Sequence, residues 1–320
     1  YDGKTDPIVD SCNFIVDSDS TFGCDVDGTF YIRNSLFVPS PSHTSQLLNL
    51  QYMNTRGERG NVFENCTFKN SLNTAVSSDK HKHTFFNCTF ENNTCQYSTG
   101  ALGTNGNGHF TITNCSFLNN AAHIEGGALM ADSRSVDELS DLIFINNSII
   151  DSEREIDGGA LIIRQSFYYD DQTNPKIVTL KNSYFKDNYA KLCGGGLYIS
   201  FQYTYDHTDK FYNIPVIVEN CQFYNCTSKR NGGGIGSGKY YDKTEPRNTG
   251  DITIKGCYFS QCSAPKGGAI FSHDGTPEGD EETNITDCTF DHCSGLNGGC
   301  VCSLSYKLVL ESSLFINNVD

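Results

Sequence analysis

The chain has 320 residues, enough for two ordinary globular domains or for one elongated repeat domain. Hydrophobic residues make up 37%, yet 21 Phe and 17 Tyr supply the aromatic side chains that a core needs, so a disordered chain is excluded. The net charge of −15 argues against a nucleic-acid groove or an anionic membrane surface as partner, because both require positive charge. No stretch approaches about 18 consecutive apolar residues, so we expect no membrane insertion within this chain.

The first 60 residues have the least regular pattern. They contain SCNF (11–14) and NSLF (34–37), which are weak copies of a motif that becomes regular from residue 65 onward. We predict an N-terminal cap with degenerate first coils in residues 1–60, and regular coils in residues 61–320.

The regular motif begins with Asn or Asp, continues with Cys or Ser and an aromatic residue two positions later, and ends in Asn or Cys. Its copies are NCTFKN (65–70), NCTFENN (87–93), NCSFLNN (114–120), NSYFKDN (182–188), NCQFYNC (220–226), GCYFSQC (256–262), DCTFDHC (287–293) and SSLFINN (312–318), with a weaker copy NSIID (147–151).

A second motif, a glycine pair followed by a small and an aliphatic residue, accompanies the first. It reads TGAL (99–102), GGALM (126–130), GGALI (158–162), GGGLY (194–198), GGGI (232–235), GGAIF (267–271) and GGCV (298–301). From the Cys/Ser position to the second glycine the spacing is 12 residues in 88–100, 115–127, 183–195 and 221–233, and 11 residues in 148–159, 257–268 and 288–299. The remaining part of each repeat varies in length and is expected to lie after the strand of the glycine pair.

These repeats predict an all-β fold. Short apolar runs such as Val-Thr-Leu (178–180) and Ile-Thr-Ile (252–254) alternate with a period of two, which is typical of strands. Short strands with insertions at one place in a repeat indicate a single-stranded right-handed parallel β-helix, or solenoid, of about ten coils, with variable loops emerging along one edge. Alternation directs Cys66 and Phe68 inward, and Asn65 and Thr67 outward. Stacked coils would then form a Phe ladder beside a Cys/Ser ladder.

The two phased motifs resemble the GGA(I/L/V) and FxxN repeats of polymorphic outer-membrane proteins, and the Cys- and Asn-rich form of these repeats in surface proteins of protists. The resemblance covers about residues 60–320. It implies a right-handed parallel β-helix that acts in adhesion at a cell surface. No C-terminal autotransporter barrel is found in the sequence. The resemblance therefore supports the β-helix fold more strongly than it supports the family's export route.

Cysteines and glycosylation sequons both favour an oxidising secretory route. The 15 cysteines include two columns that we predict to be structural, with disulfides and reduced thiols both left open: Cys66, Cys88, Cys115, Cys221, Cys257 and Cys288, then Cys226, Cys262 and Cys293. The spacing does not suggest zinc, so no metal site is predicted. The seven Asn-x-Ser/Thr sequons predict glycosylation at Asn65, Asn87, Asn92, Asn114, Asn146, Asn225 and Asn284.

The variable segments carry Tyr and Asp in successive coils. Side by side, they would form a strip able to bind a sugar or a protein, although the Tyr rings could equally pack the loops onto the rod. The strip consists of Tyr168, Tyr169, Asp170, Tyr203, Tyr205, Asp206, Tyr240, Tyr241 and Asp242. No cofactor is expected, and calcium bound by the acidic loops is an open alternative.

The sequence therefore predicts a secreted or cell-surface glycoprotein without catalytic residues, acting in adhesion or recognition. Its partners would be a host or neighbouring surface protein, a glycan, or copies of itself. One alternative is a structural subunit of an extracellular filament or coat, because SSLFINNVD stops without the next glycine pair and we expect a truncated or uncapped end. The other is a polysaccharide lyase or glycoside hydrolase of the pectate-lyase type, which would need clustered carboxylates.

Overall fold

The computed structural model describes residues 6–17, 29–42, 44, 46–50, 60–78, 81–104, 108–150, 158–165, 176–202, 215–240, 250–272 and 281–320, apart from the side chains of residues 202, 239 and 240. These residues form a parallel β-helix built from four parallel sheets: every coil contributes a strand to sheets 1 and 2, coils 4 to 8 contribute one to sheet 3, and coils 2 to 10 contribute one to sheet 4. We number the coils 1 to 11 by their strand in sheet 1.

Sheets 1 and 2 run the length of the rod. Sheet 1 has eleven strands: β1 (Ile8–Asp10), β3 (Phe30–Arg33), β6 (Asn61–Glu64), β9 (Lys82–Phe86), β13 (His109–Thr113), β17 (Val136–Ser140), β21 (Val178–Lys181), β25 (Val216–Glu219), β29 (Ile252–Lys255), β32 (Glu282–Thr286) and β35 (Lys307–Glu311). Sheet 2 also has eleven: β2 (Asn13–Val16), β4 (Leu36–Pro39), β7 (Thr67–Lys69), β10 (Thr89–Glu91), β14 (Ser116–Leu118), β18 (Ile143–Ile145), β22 (Tyr184–Lys186), β26 (Gln222–Tyr224), β30 (Tyr258–Ser260), β33 (Thr289–Asp291) and β36 (Leu314–Ile316).

Sheets 3 and 4 complete the coil. Sheet 3 has five short strands: β11 (Thr94–Cys95), β15 (Ala121–Ala122), β19 (Ser148–Ile149), β23 (Tyr189–Ala190) and β27 (Thr227–Ser228). Sheet 4 has nine: β5 (Leu48–Asn49), β8 (Val76–Ser78), β12 (Leu102–Thr104), β16 (Leu129–Asp132), β20 (Leu161–Gln165), β24 (Leu197–Gln202), β28 (Ile235–Tyr240), β31 (Ile270–Ser272) and β34 (Val301–Ser303).

The core contains a continuous ladder of phenylalanine rings on the inner face of sheet 2. Successive rings stack with centroids 4.5 to 5.1 Å apart and with planes 4° to 14° from parallel. This spacing equals the distance between paired strands, so one ring per coil fills the interior without a gap. The ladder consists of Phe14, Phe37, Phe68, Phe90, Phe117, Phe144, Phe185, Phe223, Phe259, Phe290 and Phe315. The predicted ladder and the inward orientation of Cys66 and Phe68 are confirmed.

In coils 3 to 11 two corners turn through a residue in the left-handed conformation, and in coils 1 and 2 the first of these corners does. The corner between sheets 1 and 2 uses residues such as Asn65 (φ 54°), and the corner between sheets 2 and 3 uses residues such as Asn70 (φ 63°). Asparagine is the side chain that tolerates this region best after glycine, which explains why Asn recurs at these points of the motif.

The glycine pair turns the chain from sheet 3 into sheet 4, and its two members have different roles. Gly126 has φ 54°, a region that other residues enter only with strain. Gly127 has no such requirement, but a Cβ there would collide with the carbonyl oxygen of Gly159 in the next coil. The pair therefore supplies both a positive φ and a close approach between neighbouring coils.

In coil 6 the predicted position of the motif is wrong. The ladder ring of this coil is Phe144, so the position that holds Cys or Ser in other coils holds Leu142, and NSIID (147–151) is not a copy of the motif. Measured from Leu142, the second glycine, Gly159, follows 17 residues later rather than 11 or 12. In this coil additional chain therefore enters before the glycine pair, between β19 and Gly158. In the other coils with a glycine pair, the variable segments connect sheet 4 to sheet 1, as predicted.

The described residues form eleven coils, close to the predicted ten, and they extend about 50 Å along the axis. Strands β1 and β2 already pair in register with β3 and β4. The predicted division at residue 60 therefore falls within one continuous stack of sheets, and the N-terminal cap stays a prediction.

Candidate functional site

Three tyrosines stand next to one another on the outer face of sheet 2. Tyr184, Tyr224 and Tyr258 belong to coils 7, 8 and 9, and their ring centroids follow at 5.4 Å and 5.4 Å with tilts of 42° and 46°. The strand register explains this arrangement: Tyr184 and Tyr258 share one outward column with Gln222 between them, and Tyr224 lies in the adjacent column. We call these three residues the tyrosine zigzag.

Polar side chains hold two of the three phenol groups in place. The hydroxyl of Tyr224 donates to Oε1 of Gln222 at 3.3 Å, and that of Tyr258 donates to a carboxylate oxygen of Asp291 at 3.2 Å. The other oxygen of Asp291 lies 2.6 Å from Nδ1 of His292. The zigzag thus has a rim of hydrogen-bonding groups.

The phenols of Tyr184 and Tyr258 stay protonated at neutral pH. Partial burial raises the pKa of Tyr184, and the negative charge of Asp187 raises it further. Partial burial also raises the pKa of Tyr258, and Asp291 acts in the same direction. Half-buried aromatic faces, hydroxyls and carboxylates therefore lie together on one sheet, an arrangement suited to binding.

Comparison with known proteins agrees with this architecture. A family described as "Right handed beta helix region" matches residues 52–211, which is half of the chain. The chain belongs to this right-handed β-helix family. No curated protein and no solved structure matches it significantly. Among the residues that the structure describes, no helix is long and apolar enough to span a membrane.

The first cysteine column of this right-handed β-helix lies at the corner between sheets 1 and 2. The thiol of Cys88 contacts the carbonyl oxygens of Phe63 and Phe86, both at 3.4 Å, and its backbone N–H points at the sulfur of Cys115 at 3.4 Å. In a serine coil, Ser183 does the same: its hydroxyl donates to the carbonyl of Lys181 at 2.8 Å. Thiol and hydroxyl therefore satisfy the same backbone groups at this corner.

The second cysteine column continues a ladder of buried asparagines. Asn147 donates through Nδ2 to the carbonyl of Phe117 at 2.9 Å, and its Oδ1 accepts the backbone N–H of Asn120 at 2.9 Å. From coil 3 to coil 11 the column is Ser71, Asn93, Asn120, Asn147, Asn188, Cys226, Cys262, Cys293 and Asn318. In the cysteine coils the thiol takes the place of the amide donor, with Cys262 lying 3.6 Å from the carbonyl of Phe223.

The described cysteines carry free thiols in this structure. Burial raises the pKa values of the Cys88 and Cys262 thiols well above the ordinary value for cysteine, so both thiols are neutral at physiological pH. Packing and hydrogen bonding therefore account for the columns without oxidation, and disulfide formation stays a prediction.

Six of the seven sequon asparagines occupy left-handed corners. Asn65, Asn87 and Asn114 lie between sheets 1 and 2, where Asn114 donates to Oδ1 of Asn87 at 3.1 Å and Asn65 to that of Asn34 at 3.1 Å. Asn92, Asn146 and Asn225 lie between sheets 2 and 3. Only Asn284 lies within a strand, β32.

The fold itself generates such sequons. A left-handed Asn is followed by an inward Cys or Asn and then by an outward Thr or Ser that begins a strand, which spells Asn-x-Thr/Ser. The sequons are therefore weak evidence for secretion, and glycosylation at these sites stays a prediction.

The predicted loop strip lies outside the described residues. This applies to Tyr168, Tyr169, Asp170, Tyr203, Tyr205, Asp206, Tyr241 and Asp242, and to the side chain of Tyr240, whose backbone ends β28. Across the described ranges, no group of three or more His, Cys, Asp or Glu is placed to hold a metal ion. The alternative of loop calcium falls on the undescribed loops.

One buried group resembles a catalytic constellation. Nε2 of His83 lies 3.1 Å from the Ser78 hydroxyl, and its Nδ1 lies 3.2 Å from the Asn61 amide. Such a chain of groups can activate a hydroxyl nucleophile. His83 is fully buried, however, and it packs against Phe110. The group fills the interior between sheets 1 and 4, where a substrate has no access.

Proposed function

We propose that this right-handed β-helix is a non-catalytic recognition or adhesion module of a secreted or cell-surface protein. The observation that carries the proposal is the tyrosine zigzag, a cluster of aromatic side chains on the outer face of a rigid sheet. Tyr is favoured at recognition surfaces because it offers a large contact area and a polar tip at a low entropy cost.

Three further observations support this function. The phased GGA(I/L/V) and FxxN repeats resemble those of polymorphic outer-membrane proteins, whose β-helices act in adhesion. A rod about 50 Å long holds its outer faces away from the point of attachment, which suits contact between surfaces. A net charge of −15 favours partners without strong negative charge.

Binding of the labelled protein to intact eukaryotic cells tests the proposal. We expect saturable binding that Tyr224→Ala reduces at least about tenfold. The matched control is Leu118→Ala, which shortens an outward, uncharged side chain of the same sheet three coils away, outside every sequon, and should leave binding unchanged. Equal binding by both variants, or no saturable binding, would contradict the proposal.

A further inference from the structure

The tyrosine zigzag is a flat ridge rather than a cleft. Its rings stand on three successive strands, so it extends over about 10 Å, two strand spacings, along the axis. Three tyrosines bury at most about 150–250 Å² each, and these are already half-buried. The aromatic surface is therefore smaller than the roughly 800 Å² that each partner contributes to a stable protein interface.

The rim of the zigzag carries groups that bind hydroxyls. Gln222 lies between two of the rings, and Asp291 lies at one end. Near the other end, Asn225 donates through Nδ2 to Asp187 at 2.7 Å. Amides and carboxylates beside aromatic faces match a ligand with apolar faces and a hydroxyl-rich edge, which is the chemistry of a pyranose ring.

The charge of the surface narrows the class of sugar. Asp187 and Asp291 border the zigzag, with Lys186 beside Asp187 and His292 beside Asp291, and the whole chain carries −15. Uronic acids, sialic acids and sulfated sugars would meet net repulsion here.

From these observations we infer that the tyrosine zigzag binds a neutral oligosaccharide, with pyranose faces on the Tyr rings and hydroxyls bonded to Gln222 and Asp291. This inference rests on the proposed recognition function and names its ligand class. It places the site on sheet 2, away from the loop edge between sheets 4 and 1.

Calorimetric titration with neutral oligosaccharides of glucose, mannose, galactose and N-acetylglucosamine tests the inference, with polygalacturonate and heparin as anionic probes. We expect at least one neutral oligomer to bind and both anionic probes to fail. Tyr224→Ala should weaken binding about tenfold or more, whereas Tyr224→Phe should retain most of it because the ring stays. Gln222→Ala should also weaken it, and Leu118→Ala should not. Circular dichroism checks that each variant is folded.

Periodate treatment of cells, which cleaves vicinal diols of sugars, separates this inference from the proposed function. Loss of cell binding after periodate, together with binding of a neutral oligomer, would support both. Cell binding that survives periodate, or titration only by anionic probes, would overturn the neutral-glycan inference and leave recognition in place. Absence of binding both to cells and to every oligosaccharide would overturn both.

Discussion

Replacing Asn147 by Ala tests the buried asparagine ladder. The change leaves the buried N–H of Asn120 without its acceptor, which lies at 2.9 Å, and removes a donor from the carbonyl of Phe117. An orphaned buried donor costs about 1–3 kcal/mol, and a lost hydrogen bond about 1 kcal/mol, so we expect a local loss of about 2–4 kcal/mol. Hydrogen exchange measured by NMR should show the Asn120 amide exchanging roughly 30- to 700-fold faster.

Two variants serve as controls for this experiment. Asn147→Cys introduces the residue that occupies the same column at Cys262, so it should cost less than the alanine. Asn146→Gly changes the adjacent outward residue but keeps its left-handed corner, since Asn146 has φ 55°. An Asn147→Ala protein within about 0.5 kcal/mol of the parent would refute the reasoning, because it would mean that the ladder bonds contribute no net stability.

Three further predictions concern the corners and the thiols. Gly127→Ala should destabilise the protein by about 3 kcal/mol or more in urea unfolding, because the new Cβ would collide with the carbonyl oxygen of Gly159. The control is Gly103→Ala, whose Cβ would meet only ordinary contacts and which should change the free energy of unfolding by less than about 1 kcal/mol. Equal effects of the two variants would contradict the close approach at Gly127. Asn87 has φ 52°, so Asn87→Ala should lower the free energy of unfolding by about 1–2 kcal/mol, whereas Asn87→Gly should lower it much less. The glycine variant would then remove a sequon without straining the turn. The prediction is checked by comparing the thermal unfolding midpoints of the two variants, which should be higher for the glycine. Burial raises the pKa of Cys88 in the folded state, so the stability that this thiol contributes is complete below about pH 8.5 and is lost as the pH rises, by up to about 1.4 kcal/mol per pH unit. Between pH 8.5 and 10 the free energy of unfolding should therefore fall less steeply with pH for Cys88→Ser than for the parent. An unchanged slope would contradict the raised pKa of Cys88.

Much of the fold could be predicted because a stack of coils repeats the same requirements. An inward aromatic and a corner residue at positive φ return in every turn, and a glycine at a close approach returns in coils 4 to 10; each selects a narrow set of residues. The motif was placed wrongly in coil 6 because its definition required Cys or Ser two residues before the ladder Phe. That position only needs to be inward and compatible with the corner, and Leu142 satisfies the packing while Ser183 supplies the hydroxyl that accepts its N–H at 3.2 Å.

The tyrosine zigzag was missed for a different reason. Tyr184 and Tyr258 occupy the position before the ladder Phe, and Tyr224 the position after it, so no column of the aligned repeats contains all three. Their contact depends on diagonal neighbours across parallel strands, which become visible only when the register is known. Aligning the outward positions around each ladder Phe would have revealed the cluster.

The additional residues of coil 6 bear on the use of this rod as a display scaffold. Coils 4, 5, 7 and 8 reach the second glycine after 12 residues, and coil 6 after 17, yet β19 and β20 keep their pairing with both neighbours. Inserted sequence is therefore accepted at the corner before sheet 4 as well as at the loop edge after it. Coil 6 thus has two insertion points, one before β20 and one after it, and β20 is a strand about 16 Å long. Two different peptides could therefore be grafted into one turn without sharing an attachment point.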